Sequence, residues 1–184
     1  KHPDYLDLFI AMTGRAPNTG VYLAKNRVPV CELRVELPDK FDDALWPMLG
    51  WLAGIKSPIG IPLLTGLEGL ELSQDDLKAL CASFGTTSAA PMLHVRGHTP
   101  EGDLSLPEQA AIFDITLIDF VELWKTFNST NDKIDLVAIG SPHASFAECK
   151  KFSEFFIDRN CHPDTETIVT VGRTIYTELM NEGI

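Results

Sequence analysis

The turn Gly140–Ser145 carries residue types that could do chemistry. It holds two hydroxyls, Ser141 and Ser145, and the imidazole of His143, directly after an apolar run that is typical of a strand buried on both faces. Ser145 and Glu148 are spaced as a capping box for a following helix. Because ligands of open α/β sheets bind at the carboxyl ends of the strands, we expect these side chains to face a ligand. An ordinary strand-to-helix connection, with His143 capping or packing, is the alternative.

A second polar cluster, Arg96–Glu101, also follows a short apolar run, Ala89–Val95. Arg96, His98 and Glu101 could together bind an anion and move a proton. Two such clusters after two strands indicate one crevice at a shared edge of a sheet. For each cluster taken alone, a solvated loop is the alternative.

A third segment, Thr13–Gly20, contains two glycines that allow close backbone approach, and Arg15 has the fork geometry that binds a carboxylate or phosphate. The segment is not a P-loop, because the lysine and the spacing of that motif are missing. Arg173 follows a β-branched run and Gly172. Adjacent parallel strands would bring it close to the turn Gly140–Ser145, where helix amino termini favour an anion.

These residues do not match a serine hydrolase. The nucleophile elbow of such enzymes is Gly-x-Ser-x-Gly, which the residues around Ser141 do not form. In addition, a serine two residues before His143 on one turn has poor geometry for proton transfer to that base.

The pattern of apolar residues predicts alternating strands and helices. Strands are predicted within residues 28–37, 54–69, 89–95, 134–139 and 167–171, and helices at 41–52, 73–84, from 105, from 116 to 127, from 146 and from 173 to 180. Ser73, Ser105 and Thr116 are expected to cap their helices, and Pro47 to kink its helix or end it early. The order predicts one three-layer α/β/α domain over residues 1–184, with helices on both faces of a mostly parallel sheet. The Gly- and Pro-rich segment 54–69 is the only candidate for a domain boundary, and a plain connector is favoured there.

Charge and composition limit the partners. The 184 residues carry a formal net charge of −11 at pH 7, and an acidic surface repels nucleic acid and anionic membranes. No apolar run approaches the roughly 20 residues that span a bilayer, and no signal peptide is visible. The four cysteines are scattered without a CxxC pair, which favours a reducing compartment and no closed zinc site. We therefore expect a cytoplasmic protein and, because the chain opens on Lys1, a segment of a larger subunit.

Four motifs in register resemble the catalytic, large-subunit region of the aconitase X family. They are Gly14-Arg15-Ala16-Pro17-x-x-Gly20-Val21-Tyr22-Leu23 with Asn26-Arg27, Asp75-Asp76-Leu77-Lys78-Ala79-Leu80, His94-x-x-Gly97-x-Thr99-Pro100-Glu101, and Asp135-Leu136-Val137-Ala138-Ile139-Gly140-Ser141-Pro142-His143-Ala144-Ser145. The resemblance implies a hydro-lyase of the aconitase superfamily that dehydrates a small hydroxy acid. It also implies an aconitase-like α/β/α region that works with a small swivelling domain or subunit.

The family pattern implies six cleft residues, which are Glu101 and His143 for proton transfer and Arg15, Thr99, Ser141 and Arg173 for the remaining contacts. Ser145, from the turn after Gly140, is added as a seventh candidate that binds the substrate. In a dehydration a base removes the proton beside a carboxylate, an acid helps hydroxide leave, and an arginine holds the carboxylate. The serine base of the superfamily comes from the swivelling domain, which is not recognised in this segment.

The resemblance also implies iron, mononuclear or in an iron–sulfur cluster, held by cysteines. Some relatives carry cysteine where this chain has Ser141, and an alcohol is a far poorer ligand for iron than a thiolate. Cys31 or Cys149 could substitute, and the other ligands would lie outside this segment. The sequence favours cis-3-hydroxy-L-proline as substrate. The alternatives are a mevalonate 5-phosphate dehydratase, or a non-catalytic module that binds a small anion or docks the swivelling domain.

Overall fold

The chain forms two compact units, Lys1–Phe127 and Asn128–Ile184. The computed structural model describes residues 4–128 and 133–184, and for Asp4, Ser141 and Pro142 it describes only the backbone. Each unit has its own apolar cluster, so the chain is divided where the sequence analysis expects a single domain. The division lies next to the polar stretch 128–132, most of which is outside the described residues, and not in the segment 54–69.

Six helices and six strands make up the described chain. The helices are α1 (Asp4–Thr13), α2 (Leu45–Lys56), α3 (Gln74–Thr87), α4 (Leu117–Phe127), α5 (Phe146–Glu154) and α6 (Arg173–Glu182). The strands are β1 (Cys31–Val35), β2 (Pro62–Thr65), β3 (His94–Val95), β4 (Ala111–Ile115), β5 (Leu136–Ala144) and β6 (Glu166–Val171). Two short 3₁₀ turns, Gly20–Tyr22 and Ala24–Asn26, precede β1. No helix in the described ranges combines the length and apolar character needed to cross a bilayer.

The first unit is built on a four-stranded parallel sheet with the strand order β3–β2–β1–β4. Leu33 of β1 pairs in register with Leu64 of β2, and both are fully buried. Alternation and register place Leu33, Leu64 and Val95 on one face of the sheet, and these side chains share an apolar cluster with residues of α2, α3 and α4. The shared cluster includes Leu33, Val35, Leu49, Leu64, Leu80, Phe84, Val95, Ile115 and Leu123. The predicted α/β class and parallel sheet are confirmed.

Of the four helix starts predicted from capping side chains, those at Ser73, Thr116 and Ser145 are confirmed and the one at Ser105 is wrong. Ser73 Oγ accepts from the backbone N–H of Asp76 at 3.1 Å, and the Asp76 carboxylate accepts from the N–H of Ser73 at 2.8 Å. Ser145 and Glu148 make the same reciprocal pair at the start of α5. No helix follows Ser105, because the chain runs through turns there and then enters β4, a strand that the sequence analysis misses.

Helix α2 begins later than the periodicity predicts, at Leu45. Pro47 therefore lies in the first turn, where a missing N–H costs no helical hydrogen bond. The helix continues to Lys56, so the predicted early end at Pro47 is wrong.

The second unit contains β5 and β6, which pair in parallel, with α5 and α6. Ile139 pairs with Val169, but the next pair is Ala144 with Val171, so β5 carries an irregularity between these two positions. The polar residues predicted to form a turn after the strand therefore lie mainly within β5. The bulge takes these polar residues out of the regular backbone pairing between β5 and β6.

Gly140 makes this irregularity possible. Its φ is +96°, a conformation that side chains disfavour. A Cβ atom there would overlap the backbone of Thr170 and approach Ala144 N to 2.8 Å. The prediction that Gly140 frees the backbone at this point is confirmed.

Candidate functional site

The first candidate cluster is the loop Arg96–Glu101, which follows β3 as predicted. The Thr99 hydroxyl accepts from the N–H of Val95 at 2.9 Å and donates to the Val95 carbonyl at 3.2 Å. His98 Nε2 lies 2.9 Å from the carbonyl oxygen of Leu67, to which it donates because a carbonyl only accepts. These contacts fold the loop back onto the sheet. They also engage the hydroxyl of Thr99, a predicted substrate ligand, with its own loop.

Glu101 ends this loop and forms an ion pair with Arg27. Arg27 Nη1 donates to Glu101 Oε1 at 2.8 Å, and the two side chains are 33% and 28% exposed. The hydrogen bond from Arg27, helped by the charge of the guanidinium, holds the pKa of Glu101 below its ordinary value despite some desolvation. Glu101 is therefore ionised at neutral pH, and an ionised carboxylate is able to accept a proton.

Arg27 also binds two other parts of the first unit. Its Nε donates to the carbonyl of Val21 at 2.7 Å, and its own carbonyl accepts from His94 Nε2 at 2.6 Å. His94 is only 1% exposed. The sequence analysis includes Arg27 and His94 in the family motifs but assigns neither a role. Local patterns could not pair Arg27 with Glu101, which is 74 residues away.

Arg96 begins the loop and contributes an unsatisfied donor. Its backbone N–H donates to the carbonyl of Leu64 at 3.0 Å and so extends the pairing of β3 with β2. Its Nε is buried and has no hydrogen-bond partner within the described residues. Buried donors are normally paired, so this atom is consistent with the predicted anion binding by Arg96.

Arg15 lies in an exposed loop between α1 and the first 3₁₀ turn. Its backbone N–H donates to Thr13 Oγ1 at 3.3 Å. Within residues 4–128 no ion pair connects its guanidinium with Glu101, whose partner there is Arg27. Arg15 is therefore accessible to a ligand, and the structure does not bring it into contact with the other predicted residues of this unit.

The second candidate cluster lies at the carboxyl ends of β5 and β6. The pairing of Ala144 with Val171 places Ser145 and Arg173 just beyond the same edge of the two strands. The predicted parallel pairing of the two neighbouring strands is observed, and the grouping of their polar residues into one ligand site stays a prediction. Arg173 is exposed and is the first residue of α6, where the helix dipole favours an anion.

The remaining members of this cluster lie in β5. The side chain of His143 is exposed, and Ser141 belongs to the strand, although its side chain is outside what is described. Ser145 Oγ accepts from Glu148 N at 3.1 Å, so this predicted substrate ligand also caps α5. The predicted roles of these residues, and the meeting of the two clusters in one cleft, stay predictions.

The structure also contains two apolar grooves. One of about 650 Å³ in the first unit is lined by residues that include Phe41, Met48 and Trp124. One of about 380 Å³ in the second unit is lined by residues that include Phe152 and Tyr176. None of the seven predicted site residues lines either groove.

The described cysteines do not fit an iron site. Cys31 and Cys149 are only 6% and 7% exposed and pack in the apolar clusters of different units. The sulfur of Cys31 lies 3.4 Å from Ser57 Oγ. Cys81 and Cys161 are exposed on separate elements. Among the residues with described side chains, no group of three or more His, Cys, Asp or Glu could hold a metal ion, which disfavours Cys31 and Cys149 as substitute ligands.

Both units match models of known protein families. Residues 24–125 match the aconitase X second domain, and residues 134–184 match the aconitase X third domain. The chain belongs to the aconitase X family. The resemblance predicted from four motifs is confirmed, and the two aconitase X domains fall on either side of the division between the two units.

Two relatives of this aconitase X chain have the same name. Cis-3-hydroxy-L-proline dehydratase of Hypocrea jecorina is 36% identical over 96% of this chain and 31% of its own length. Cis-3-hydroxy-L-proline dehydratase of Pseudomonas aeruginosa is 33% identical over 100% of this chain and 33% of its own length. The phosphomevalonate dehydratase large subunit of Methanosarcina mazei is 32% identical over 86% of this chain. The chain thus spans about a third of the length of these curated relatives.

A solved structure of the family has the same fold. The crystal structure of Thermococcus kodakaraensis aconitase X in its holo-form matches with a TM-score of 0.83 and 26% sequence identity. The match covers 96% of this chain and 45% of that chain. The aconitase-like fold expected from the sequence is therefore confirmed.

Proposed function

We propose that this chain is part of a hydro-lyase that removes water from a small hydroxy acid, with cis-3-hydroxy-L-proline as the substrate. The similarity of nearly the whole chain, at 36% and 33% identity, to two proteins named for that activity carries this proposal. The relatives named phosphomevalonate dehydratase large subunit are 24% to 32% identical, so mevalonate 5-phosphate is the second candidate substrate.

The proposed reaction is an elimination at two neighbouring carbon atoms. The base takes the proton from C2, beside the carboxylate. The electrons of that C–H bond form the C2–C3 double bond, and the C3 hydroxyl departs as water after receiving a proton. We assign the base role to Glu101, in place of the serine base that the resemblance implies for the swivelling domain, and the acid role to His143. The ionised state of Glu101 beside Arg27 and the exposure of His143 support these roles.

The substrate carboxylate would be held by Arg15 or Arg173. Both side chains are exposed, and Arg173 lies at a helix amino terminus. Thr99, Ser141 and Ser145 would complete the binding set, with Thr99 and Ser145 acting partly through the loop and helix that they brace. A small swivelling domain or subunit would complete the active enzyme.

The proposed enzyme uses iron or an iron–sulfur cluster as its cofactor, and this part of the proposal rests only on membership of the aconitase X family. The described side chains do not supply its ligands, so we expect them to come from other parts of the full-length protein. The iron content of the purified full-length protein tests this expectation.

The deciding experiment is turnover by the full-length protein together with its swivelling domain or partner. We expect water loss from cis-3-hydroxy-L-proline, with a strong reduction in the Glu101→Gln and His143→Asn variants. Turnover of mevalonate 5-phosphate alone would favour the second substrate. No turnover of either compound by an iron-loaded, folded protein would instead favour a non-catalytic module that binds a small anion or docks the swivelling partner.

A further inference from the structure

We propose that Arg27 is a positioning residue that fixes the loop Arg96–Glu101, and with it the Glu101 carboxylate, at the edge of the sheet in the first unit. The proposal deepens the proposed function, because it explains how the base would be held in place. No part of the sequence analysis assigns Arg27 this role.

Arg27 joins three separate segments of the first unit. Its Nε donates to Val21 O in the first 3₁₀ turn at 2.7 Å, and its Nη1 donates to Glu101 at 2.8 Å. Its carbonyl accepts from His94 Nε2 of β3 at 2.6 Å. One residue therefore ties the segment before β1 both to the strand that precedes the loop and to the residue that ends the loop.

The ion pair between Arg34 and Glu32 in the same unit differs from the pair between Arg27 and Glu101 in distance and exposure. Arg34 and Glu32 are neighbours on β1, their closest nitrogen and oxygen atoms are 3.4 Å apart, and Arg34 is 56% exposed. Such a pair fixes no loop and contributes little. The Arg27 side chain is less exposed, at 33%, and is held at Nε and at Nη1, so its conformational freedom is already restricted when it binds Glu101.

The middle of the loop is anchored by contacts that do not involve Arg27. Thr99 is bound to Val95, and His98 to Leu67, so the middle of the loop is anchored to the sheet. The side chain of Glu101 comes after these anchors, and its described ion-pair partner is Arg27. Removal of the guanidinium would therefore release the carboxylate more than the loop as a whole.

The kinetic test compares Arg27→Gln and Arg27→Lys with Arg34→Gln in the full-length protein. In Arg27→Gln we expect kcat to fall by about tenfold or more, equivalent to ~1.4 kcal/mol of transition-state stabilisation, with KM changed much less. The acid limb of the pH–rate profile should move to higher pH. Arg27→Lys should restore part of the loss because it keeps the charge, and Arg34→Gln should match the wild type. Wild-type kcat and pH profile in Arg27→Gln would overturn the proposal.

A second test does not need activity. Carbon-13 NMR titration of the Glu101 carboxyl in the 184-residue chain should show a higher pKa in Arg27→Gln than in the wild type, and an intermediate pKa in Arg27→Lys. The groups that face Glu101 are Arg27 and His94, so an Arg34→Gln titration should be unchanged. An unchanged Glu101 titration in a folded Arg27→Gln protein would overturn the role of Arg27.

The two tests separate this proposal from the proposed function. Full activity in Glu101→Gln would remove Glu101 as the base and, with it, the catalytic purpose of its positioning. Absence of turnover on both substrates would end the substrate assignment, while the NMR titration would still decide whether Arg27 controls Glu101. If Arg27→Gln does not fold, Arg27→Lys supplies both measurements.

Discussion

Lys56 Nζ lies 3.1 Å from Oδ1 of Asp119, so an ion pair joins the last turn of α2 to the first turn of α4. The other oxygen of Asp119 accepts from the backbone N–H of Thr116 at 2.7 Å and from its hydroxyl at 2.9 Å. One carboxylate thus caps α4 and fixes it to α2. These two helices share the apolar cluster that covers one face of the sheet.

Asp119→Ala should lower the free energy of unfolding by about 1 to 2 kcal/mol, because it removes a helix cap and a half-buried ion pair. Chemical denaturation followed by tryptophan fluorescence would measure this loss, since all three tryptophans lie in the first unit. Glu122→Ala is the control: its pair with Lys125 is 64% exposed on both sides, so a change within about 0.5 kcal/mol is expected. Equal losses in the two variants would contradict the role assigned to Asp119.

The contribution of Asp119 should depend on pH. Desolvation opposes the shift, but the hydrogen bonds from Thr116 and the pair with Lys56 hold the pKa of Asp119 below its ordinary value of 3.8. A lowered folded-state pKa gives stability that is complete above the unfolded-state value and is lost as the pH falls through the folded-state value. The difference between wild type and Asp119→Asn should therefore shrink as the pH is lowered below about 4. A difference that stays constant from pH 7 to pH 2 would argue against this linkage.

Ser73→Ala should cost about 1 kcal/mol of stability, because its hydroxyl and the Asp76 carboxylate form the reciprocal cap of α3. Ser105→Ala is the matched control, since the sequence predicts a helix cap there but the structure contains no helix. We expect its effect to stay within about 0.5 kcal/mol. Denaturation midpoints of the two variants, measured side by side, would show whether the local pattern or the observed structure describes Ser105 correctly.

Arg15→Ala should abolish substrate binding and leave the thermal melting temperature within a few degrees of the wild type, because the side chain is exposed. Calorimetric titration of substrate into the full-length protein measures binding, and a thermal scan measures stability. Arg34→Ala removes another exposed arginine of the same unit and serves as the control. A collapse of the fold in Arg15→Ala would assign Arg15 a structural role instead.

Gly140→Ala should destabilise the second unit by more than about 1 kcal/mol, because the new Cβ would overlap the Thr170 backbone at a positive φ. Gly172→Ala is the control, with φ at −71° and open space around its Cβ position. That variant should cost less than Gly140→Ala, because it meets no overlap and loses only the modest preference for glycine at a helix N-cap. Hydrogen exchange of the β6 amides reports on this unit alone, and faster exchange is expected only in Gly140→Ala.

The sequence alone determined the features that depend on neighbouring residues. The capping boxes at Ser73 and Ser145 form as predicted because both partners lie within one helical turn. The glycine at 140 is required by the local path of the backbone. The motifs identified the family, and the matches of residues 24–125 and 134–184 to aconitase X domains agree with that identification.

Only the tertiary structure decided the features that depend on distant residues. The sequence analysis missed β4, where only Ile115 is buried, because this strand is defined by its pairing with β1 about 80 residues earlier. Likewise, the ion pair between Arg27 and Glu101 joins residues 74 positions apart. Side-chain type and spacing report the preferences of a chain segment. They do not report which remote segment satisfies its hydrogen bonds and charges, and here that choice fixed both the edge strand β4 and the partner of the Glu101 carboxylate.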